Sequence, residues 1–399
     1  MTTKLLVLSD SGTPSGYGRI ADEVMTRLQK RGLDVFTASL GYDGLLPPQL
    51  DGVRLPYWVA SLAGKPWLDE FQKVIAPTAP DFIVVIQDAP YVEAVRNLPV
   101  DWSQIGFMAI TPVDGVPIYP RWVQTLGTAD AAMSISEFGV AAYRKAGVAA
   151  NLCRPGVDPN TFFRKPDADR AALRAKLGLT PDQFIVGTMA MNQGRKAISL
   201  MLKAFFEFCA DKPDARYLLD MEATSPAGWD IPALCDQFGW DKSRLIFRAD
   251  AARAGLTLAD RYNMLDAHMV ISHREGYGLP LAEAMACGAV SLAMDYCSGP
   301  EIVGNGKGVL IPCVEGIAEP GTWGGSEDRW PDMPALVKAL DNLYRNPIER
   351  AAIAQRGMEW ARSHTWDETA NAVYDTLMQA VAKRAAWGQI AAPVQEVAA

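Results

Sequence analysis

Residues 268–288 read His-Met-Val-Ile-Ser-His-Arg-Glu-Gly-Tyr-Gly-Leu-Pro-Leu-Ala-Glu-Ala-Met-Ala-Cys-Gly. The apolar run His268 to Ser272 has the length of a short strand. Gly276 and Gly278 mark a turn. Pro280 to Cys287 then reads as an apolar helix with proline in its first turn, where the missing N–H costs nothing, and Gly288 is placed to end it. Strand, glycine-rich turn and helix N-terminus in that order build an anion-binding geometry, because the first N–H groups of a helix lack intrahelical partners and carry the positive end of its dipole. Glu275 lies in the turn and Glu283 about one turn into the helix. Both carboxylates are placed to face one ligand that offers phosphate to the amides and hydroxyls to the acids, and a nucleoside diphosphate sugar offers both. Each residue alone has a plainer explanation: a glutamate early in a helix suits the dipole, and a glycine turn is often only a turn. The ordered combination carries the information.

The same alternation extends outward along the chain. In the first half, Leu5–Leu8, Val35–Ser39, Phe82–Gln87, Gly106–Thr111 and Ala131–Ile135 are strand candidates; Arg19–Arg31, Leu68–Ile75, Trp122–Thr128 and Phe138–Ala146 are helical. In the second half, strands are expected at Phe184–Thr188, Arg216–Met221, Leu245–Arg248 and Ala289–Ala293. Helices are expected at Ile198–Cys209, Ala335–Tyr344, Ile348–Ser363 and Trp366–Lys383. Strands alternating with helices give an α/β class, with parallel sheets covered on both faces. A chain of 399 residues exceeds one ordinary core, so two domains are expected. The turn-rich stretch Arg154–Arg164, with Pro155 and Pro159, is the linker. It sets domains at 1–155 and 156–367. Glu319–Trp330, rich in Gly and Trp, reads as an irregular surface loop, and 386–399 as a flexible tail.

Composition bounds the class of molecule. Apolar residues make up 49% and charged residues 21%, ordinary values for a soluble domain. No apolar stretch of about 18 residues exists, so no membrane span is expected. The six cysteines form no CxxC pair and the three histidines have no metal spacing, which fits reduced thiols in a cytoplasm and no zinc site. Net charge is −8 and the pI about 5.1, so an overall basic nucleic-acid footprint is absent. The first 155 residues hold 13 Lys and Arg against 15 Asp and Glu, a balance that says little about partners.

The glutamate turn resembles the Glu-x7-Glu donor signature of the large retaining glycosyltransferase family (family 4-like) that contains glycogen synthases and bacterial lipid mannosyltransferases. The linker resembles the inter-domain segment of the same family, with Gly156-Val157-Asp158 followed by an aromatic residue. The resemblance implies the GT-B architecture: two Rossmann-like domains facing across a cleft, an N-terminal acceptor domain joined by a C-terminal helix at about 368–385, and a C-terminal nucleotide-sugar domain. It implies that Glu283 accepts hydrogen bonds from the donor ribose. Glu275 contacts hydroxyls of the transferred sugar, and the N–H groups of Gly276, Tyr277, Gly278 and Leu279 hold sugar and phosphates.

Three further segments bear on this chemistry. Gln193-Gly194-Arg195-Lys196 follows a strand and precedes a helix. Two adjacent cations there suit a diphosphate, and cations at a helix start are disfavoured unless an anion joins them; a solvated pair is the plain alternative. The matching family segment holds an arginine and a lysine. Lys196 fits the lysine. The earlier arginine is missing, with Ala190, Met191 and Asn192 in its region, so Arg195 is the replacement and Asn192 a donor contact. Ser9–Arg19 is a second glycine-rich loop in which Gly16, Tyr17 and Gly18 lead into a helix. Its spacing is not Gly-x-Gly-x-x-Gly, so a dinucleotide site is the weaker reading; in the resembled family this loop touches donor phosphate or acceptor. In Thr111-Pro112-Val113-Asp114-Gly115, the position where many members carry a histidine falls on Val113 or Asp114. Asp114 is placed to hold a sugar or acceptor hydroxyl, and a turn aspartate before glycine is the bland alternative. All three histidines fall in the second half.

The function implied is a retaining, metal-independent glycosyltransferase with Glu275, Asp114, Lys196 and Arg195 as its catalytic set. No cofactor is held permanently; a UDP- or GDP-sugar is the donor substrate. The acceptor is a glycan, lipid, small molecule or modified DNA. The last option enters because the Pro-Val-Asp-Gly turn and the Gln-Gly-Arg-Lys segment are similar to members encoded by bacterial viruses, some of which glycosylate hydroxymethylated bases. The acidic pI weighs against it unless a local basic groove exists. The expected location is the cytoplasm, or the host cytoplasm for a viral member. Two competing expectations are a GT-B epimerase acting on a nucleotide sugar, which needs acid/base side chains that do not stand out, and a non-catalytic sugar-nucleotide binder, motivated by the absent histidine and displaced arginine.

Overall fold

The computed structural model describes residues 2–44, 49–50, 53–314, 316 and 326–386. The expected irregular loop at 319–330 lies outside the described residues up to 325, as does the expected tail from 387 onward. The chain divides into two compact units, Met1–Gly156 with Trp366–Ala399, and Val157–Thr365.

The first unit holds a parallel sheet of seven strands. They are β1 (Lys4–Ser9), β2 (Asp34–Ser39), β3 (Trp58–Ser61), β4 (Phe82–Ile86), β5 (Gly106–Ile110), β6 (Ala131–Ser134) and β7 (Asn151–Leu152), in spatial order β3-β2-β1-β4-β5-β6-β7. Leu5 to Leu8 and Phe82 to Ile86 are buried almost completely, as the unbroken apolar runs of strands covered on both faces require. β1 pairs with β2 on one side and β4 on the other. Strand order therefore reverses between β1 and β4, a switch point where open α/β sheets leave a crevice at the strands' carboxyl ends. The helix α1 (Gly16–Lys30) follows β1 there, with Ser15 capping it through a bond from Gly18 N–H. The edge strands β3 and β7 are absent from the sequence reading; one is partly exposed and the other two residues long, too little to show a period.

The C-terminal helix Trp366–Ala386 packs on this first unit. Arg384, 3% exposed, donates to both carboxylate oxygens of Asp130 at 3.1 and 3.0 Å and to the carbonyls of Trp102 and Ser103. A buried guanidinium requires this many acceptors. Thr369 Oγ1 adds a bond to the Arg154 carbonyl at 2.6 Å.

The second unit holds six parallel strands: β8 (Ile185–Met189), β9 (Arg216–Asp220), β10 (Leu245–Phe247), β11 (Ala267–Val270), β12 (Val290–Met294) and β13 (Val309–Ile311), in order β10-β9-β8-β11-β12-β13. Here the order reverses between β8 and β11. Helix α2 (Ile198–Phe208) follows β8 and helix α3 (Leu279–Ala286) follows β11. Phe205, Phe208, Tyr217, Met269 and Leu292 anchor the core. Helices at Asp167–Ala175, Ile231–Phe238, Arg248–Arg253, Leu258–Asn263 and Gly299–Val303 are not among the sequence expectations; the last three span fewer than two turns, which carry little periodicity. A small antiparallel hairpin pairs β14 (Cys313–Val314) with β15 (Trp330–Pro331). Among the described residues no helix is long and apolar enough to cross a membrane, and the six cysteines are free thiols.

Candidate functional site

The carboxyl ends of β8 and β11 bring the two best sequence segments together. Beyond β11 the chain runs Ile271 to Glu275 and turns at Gly276-Tyr277-Gly278 into α3. Gly278 has φ of 101°, and a Cβ there would stand 2.9 Å from Leu281 Cδ1, so this turn requires glycine. Ser298 Oγ pins the turn from below by donating to the carbonyls of Tyr277 at 2.6 Å and Glu275 at 3.1 Å. The N-cap of α3 is Gly278, which has no side chain to cap the helix, and that suits an anion at its first amides.

Glu275 sits at the centre of a charged cluster. Its Oε2 receives Lys196 Nζ at 2.5 Å and Ser272 Oγ at 2.9 Å, with Arg195 Nη1 at 3.6 Å. Burial pushes its carboxyl up, but the charges of Lys196 and Arg195, with the hydrogen bonds from Lys196 and Ser272, outweigh that and bring the pKa down to about 2. Glu275 is thus an anion at neutral pH, held by two cations. Arg195 is fixed in turn: its Nη1 donates to the Arg274 carbonyl at 2.8 Å, and its own carbonyl accepts from His273 N–H at 2.9 Å. Both cations ride on a 3-10 turn, Gly194–Lys196, separated from α2 by Ala197 in the left-handed region at φ of 52°. They stand just before the N-cap of the α-helix, and Glu275 supplies the anion that offsets the dipole there.

Glu283 lies deeper in α3, 7% exposed, with Oε2 accepting from Tyr262 OH at 2.8 Å. The Tyr262 hydroxyl is pushed well above its ordinary pKa by burial and by the charge of Glu283, so it acts as a donor. Asn192 is spent differently from the sequence expectation. Its Nδ2 donates to the carbonyls of Glu222 and Trp229, and its Oδ1 accepts from Trp229 N–H at 2.9 Å. The amide braces the segment 222–229, whose Ala227 carbonyl accepts from Gly194 N–H at 3.0 Å. Asn192 supports the cation turn from behind.

The remaining sequence candidates belong to the first unit. Val113, 5% exposed, is part of the apolar core, whereas Asp114 is half-buried; of the two positions left open, only Asp114 offers a polar group. Gly18 is buried, and a Cβ on it would lie 2.4 Å from the Thr13 carbonyl oxygen and 2.7 Å from that of Asp10. Its glycine serves the loop's own fold. A Cβ on Gly16 would meet nothing within 4 Å, so this end of α1 is open to approach. Tyr17 OH donates to Asp88 Oδ1. Asp10 accepts from Ser15 Oγ and Gln87 Nε2, linking the loops after β1 and β4. Ser272, Ser298, Tyr262, Asp10 and Gln87 carried no signal in the sequence reading. Ser272 and Asp10 lie inside the glutamate-turn and glycine-loop segments themselves, whereas Ser298, Tyr262 and Gln87 come from elsewhere in the chain.

Among the described residues, no group of three or more His, Cys, Asp or Glu side chains is arranged to hold a metal.

Residues 256–319 match the glycosyl transferases group 1 family. This segment contains the whole glutamate turn, α3 and β12. The chain is 30% identical over 247 residues to a D-inositol 3-phosphate glycosyltransferase of Kineococcus radiotolerans, an alignment covering 58% of this chain and 52% of that one. It is 31% identical over 208 residues to a namesake from Mycobacterium sp. strain KMS, covering 51% and 43%. The chain thus spans about half the length of the curated relatives it matches. Among solved structures, Anabaena HepE in complex with UDP-glucose superposes with a TM-score of 0.74 at 17% identity, covering 94% of this chain and 99% of that one. A sucrose-phosphate synthase from Thermosynechococcus elongatus superposes at 0.73 with 18% identity, covering 96% and 100%. At such identities the likeness is one of fold: two Rossmann-like α/β domains of the GT-B type.

Proposed function

We propose that the chain is a retaining, metal-independent glycosyltransferase that moves a sugar from a nucleoside diphosphate sugar to an acceptor hydroxyl. The observation that carries this reading is the half-buried cluster of Lys196, Arg195 and Glu275 beside the start of α3. Two cations and several amides meet a diphosphate, and two carboxylates meet hydroxyls.

In this scheme the bond between the anomeric carbon and the diphosphate oxygen breaks, and its electron pair leaves with the diphosphate. Lys196 and Arg195 stabilise the charge developing there, an effect that preorganised groups in a low-dielectric site supply efficiently. The acceptor oxygen bonds to the same face of the sugar, and its proton passes to the departing phosphate oxygen. Glu275, ionised and tied to Lys196, is a poor nucleophile and a good hydrogen-bond acceptor for a sugar hydroxyl. The N–H groups from Gly276 to Leu279 hold sugar and phosphate, and Glu283 accepts from the ribose. On the first unit, Asp114 and the Gly16-Tyr17-Gly18 turn are assigned to the acceptor. The activity for which the relatives are named favours a small hydroxylated acceptor over DNA, and the HepE complexes with UDP and UDP-glucose favour a uridine donor.

A thermal-shift panel of UDP-, GDP-, ADP- and dTDP-sugars, followed by NMR of the product's anomeric configuration, tests the reading. A selective rise in melting temperature with one nucleotide sugar and a retained anomer are expected. No response to any of them, or an inverted product, sinks it.

A further inference from the structure

The segment His273-Arg274 lies between two layers. On one side Arg195 exchanges bonds with it, as described above. On the other side lies the hairpin of β14 and β15. Arg329 N–H donates to the His273 carbonyl at 3.2 Å, His273 Nδ1 and the Arg329 carbonyl oxygen are 2.8 Å apart, and the Trp330 ring packs 4.3 Å from the His273 ring. Tyr296 OH donates to the Glu327 carbonyl at 3.2 Å. Gly316 lies hard against this strand, since a Cβ there would fall 1.5 Å from the Asp328 carbonyl oxygen. At the centre is a buried ion pair: Arg274 Nε lies 2.5 Å from Asp328 Oδ1, with side chains 3% and 13% exposed. Arg274 Nε, Arg274 Nη1 and Asp328 Oδ1 make no hydrogen bond of regular geometry among the described residues, so the two groups are held by charge, and Asp328 is the carboxylate in ion-pair contact with this guanidinium.

We propose that Asp328 is a positioning residue for the charged cluster: by neutralising Arg274 it reserves Glu275 for Lys196 and Arg195. A guanidinium does not lose its proton in a protein, and a buried charge stripped of its partner draws on whatever opposite charge is at hand. For Arg274 the carboxylate next along the chain is Glu275. If Glu275 turned to Arg274, Lys196 would lose the bond that sets its place, and the hydroxyl-binding carboxylate would be misaimed. The hairpin thereby acts on the reaction through the turn without touching substrate. The effect on turnover rests on the proposed function, whereas the effect on geometry does not.

The test compares wild type with Asp328→Asn, Asp328→Glu, Arg274→Met and the double variant Arg274→Met/Asp328→Asn, by crystallography and by cleavage of UDP-glucose. In Asp328→Asn, Arg274 is expected to turn onto Glu275, lengthening the Lys196–Glu275 contact beyond hydrogen-bonding distance. Its kcat should fall roughly 10- to 100-fold, the scale of an ångström-sized misplacement, with KM changed less than about threefold. Asp328→Glu and the double variant should restore both contact and turnover. Arg274→Met alone should keep the contact and a kcat within about threefold of wild type. A folded Asp328→Asn protein with the Lys196–Glu275 contact intact overturns the proposal, as does a double variant that fails to restore it. If Asp328→Asn does not fold, loss of the contact in Arg274→Met overturns it equally. Should wild type cleave none of the UDP-, GDP-, ADP- and dTDP-sugars while Asp328→Asn still moves Arg274 onto Glu275, the proposed function fails and the positioning role stands.

Discussion

Lys196 Nζ and Glu275 Oε2 stand 2.5 Å apart although 79 positions separate them in the chain. The loops after β8 and β11 are adjacent at the point where strand order reverses, and that adjacency creates the contact. Under the proposed function a bound diphosphate accepts from Lys196 while Glu275 holds that ammonium in place, so donor binding draws on a cation the pair has already positioned. Lys196→Ala is expected to lower kcat by about 100- to 1,000-fold, the usual cost of removing one preorganised charge-stabilising group. Steady-state turnover of the donor checks this, and an unchanged kcat removes Lys196 from the mechanism.

The same pair makes a statement about acid stability. The Glu275 pKa falls from 4.5 to about 2 on folding. Its contribution, on the order of 3 kcal/mol, is therefore complete above pH 4.5 and lost as pH falls through 2. Urea unfolding at several pH values should show wild type well above Glu275→Gln at pH 5 to 7, with the gap narrowing toward pH 2. Parallel curves across that range contradict the assignment.

Tyr262 and Glu283 give a graded pair. Removing the hydroxyl in Tyr262→Phe takes the 2.8 Å hydrogen bond away from Glu283, a loss of about 1–3 kcal/mol, and loosens the hold on its carboxylate. Donor affinity by calorimetry is expected to drop about tenfold in Tyr262→Phe and further in Glu283→Ala. Wild-type affinity in Glu283→Ala rules out its contact with the ribose.

Asp22 carries a pH effect of opposite sign. It is fully buried in α1 and accepts from Gly12 N–H at 2.9 Å and Tyr57 OH at 2.7 Å. Burial raises its pKa from 3.8 to about 6, against the pull of bonds from Tyr57, Gly12 and Ser11. The folded state holds this proton longer than the unfolded chain does, so stability falls as pH rises from about 4 to 6. Asp22→Asn is expected to remove that slope. The difference between the two proteins' urea midpoints across pH 4 to 7 measures it, and a constant difference refutes it.

Gly16 and Gly18 should respond in opposite ways to alanine. Helix propensity favours alanine at both by up to about 1 kcal/mol. At Gly18 the added carbon meets the Thr13 carbonyl, and overpacking of this kind costs about 1–3 kcal/mol. Gly18→Ala should therefore lower the melting temperature and Gly16→Ala leave it equal or higher. Equal loss in both contradicts the packing argument.

Much of this was legible locally. The runs at Leu5–Leu8, Phe82–Ile86 and Ile185–Met189 announce buried parallel strands by composition. Gly278 and Pro280 announce the turn into α3. What escaped were elements too short to repeat a pattern, such as Gly299–Val303 and Asn151–Leu152, and every partner supplied from a distance. Ser298 beneath the turn, Tyr262 against Glu283 and Asp328 against Arg274 leave no mark near the residues they serve.

By itself the sequence determined the alternation of strands and helices and the residue types gathered at the glutamate turn, because backbone preference and apolar period act within a few residues. Only tertiary structure decided which charge meets which. Lys196 is matched to Glu275 and Arg274 to Asp328 because strand order places β8 beside β11 and the hairpin behind them, and Coulomb attraction between buried groups depends on separation in space. Asn192 shows the same division: its place after β8 was plain, but the backbone groups its amide satisfies were fixed by the fold.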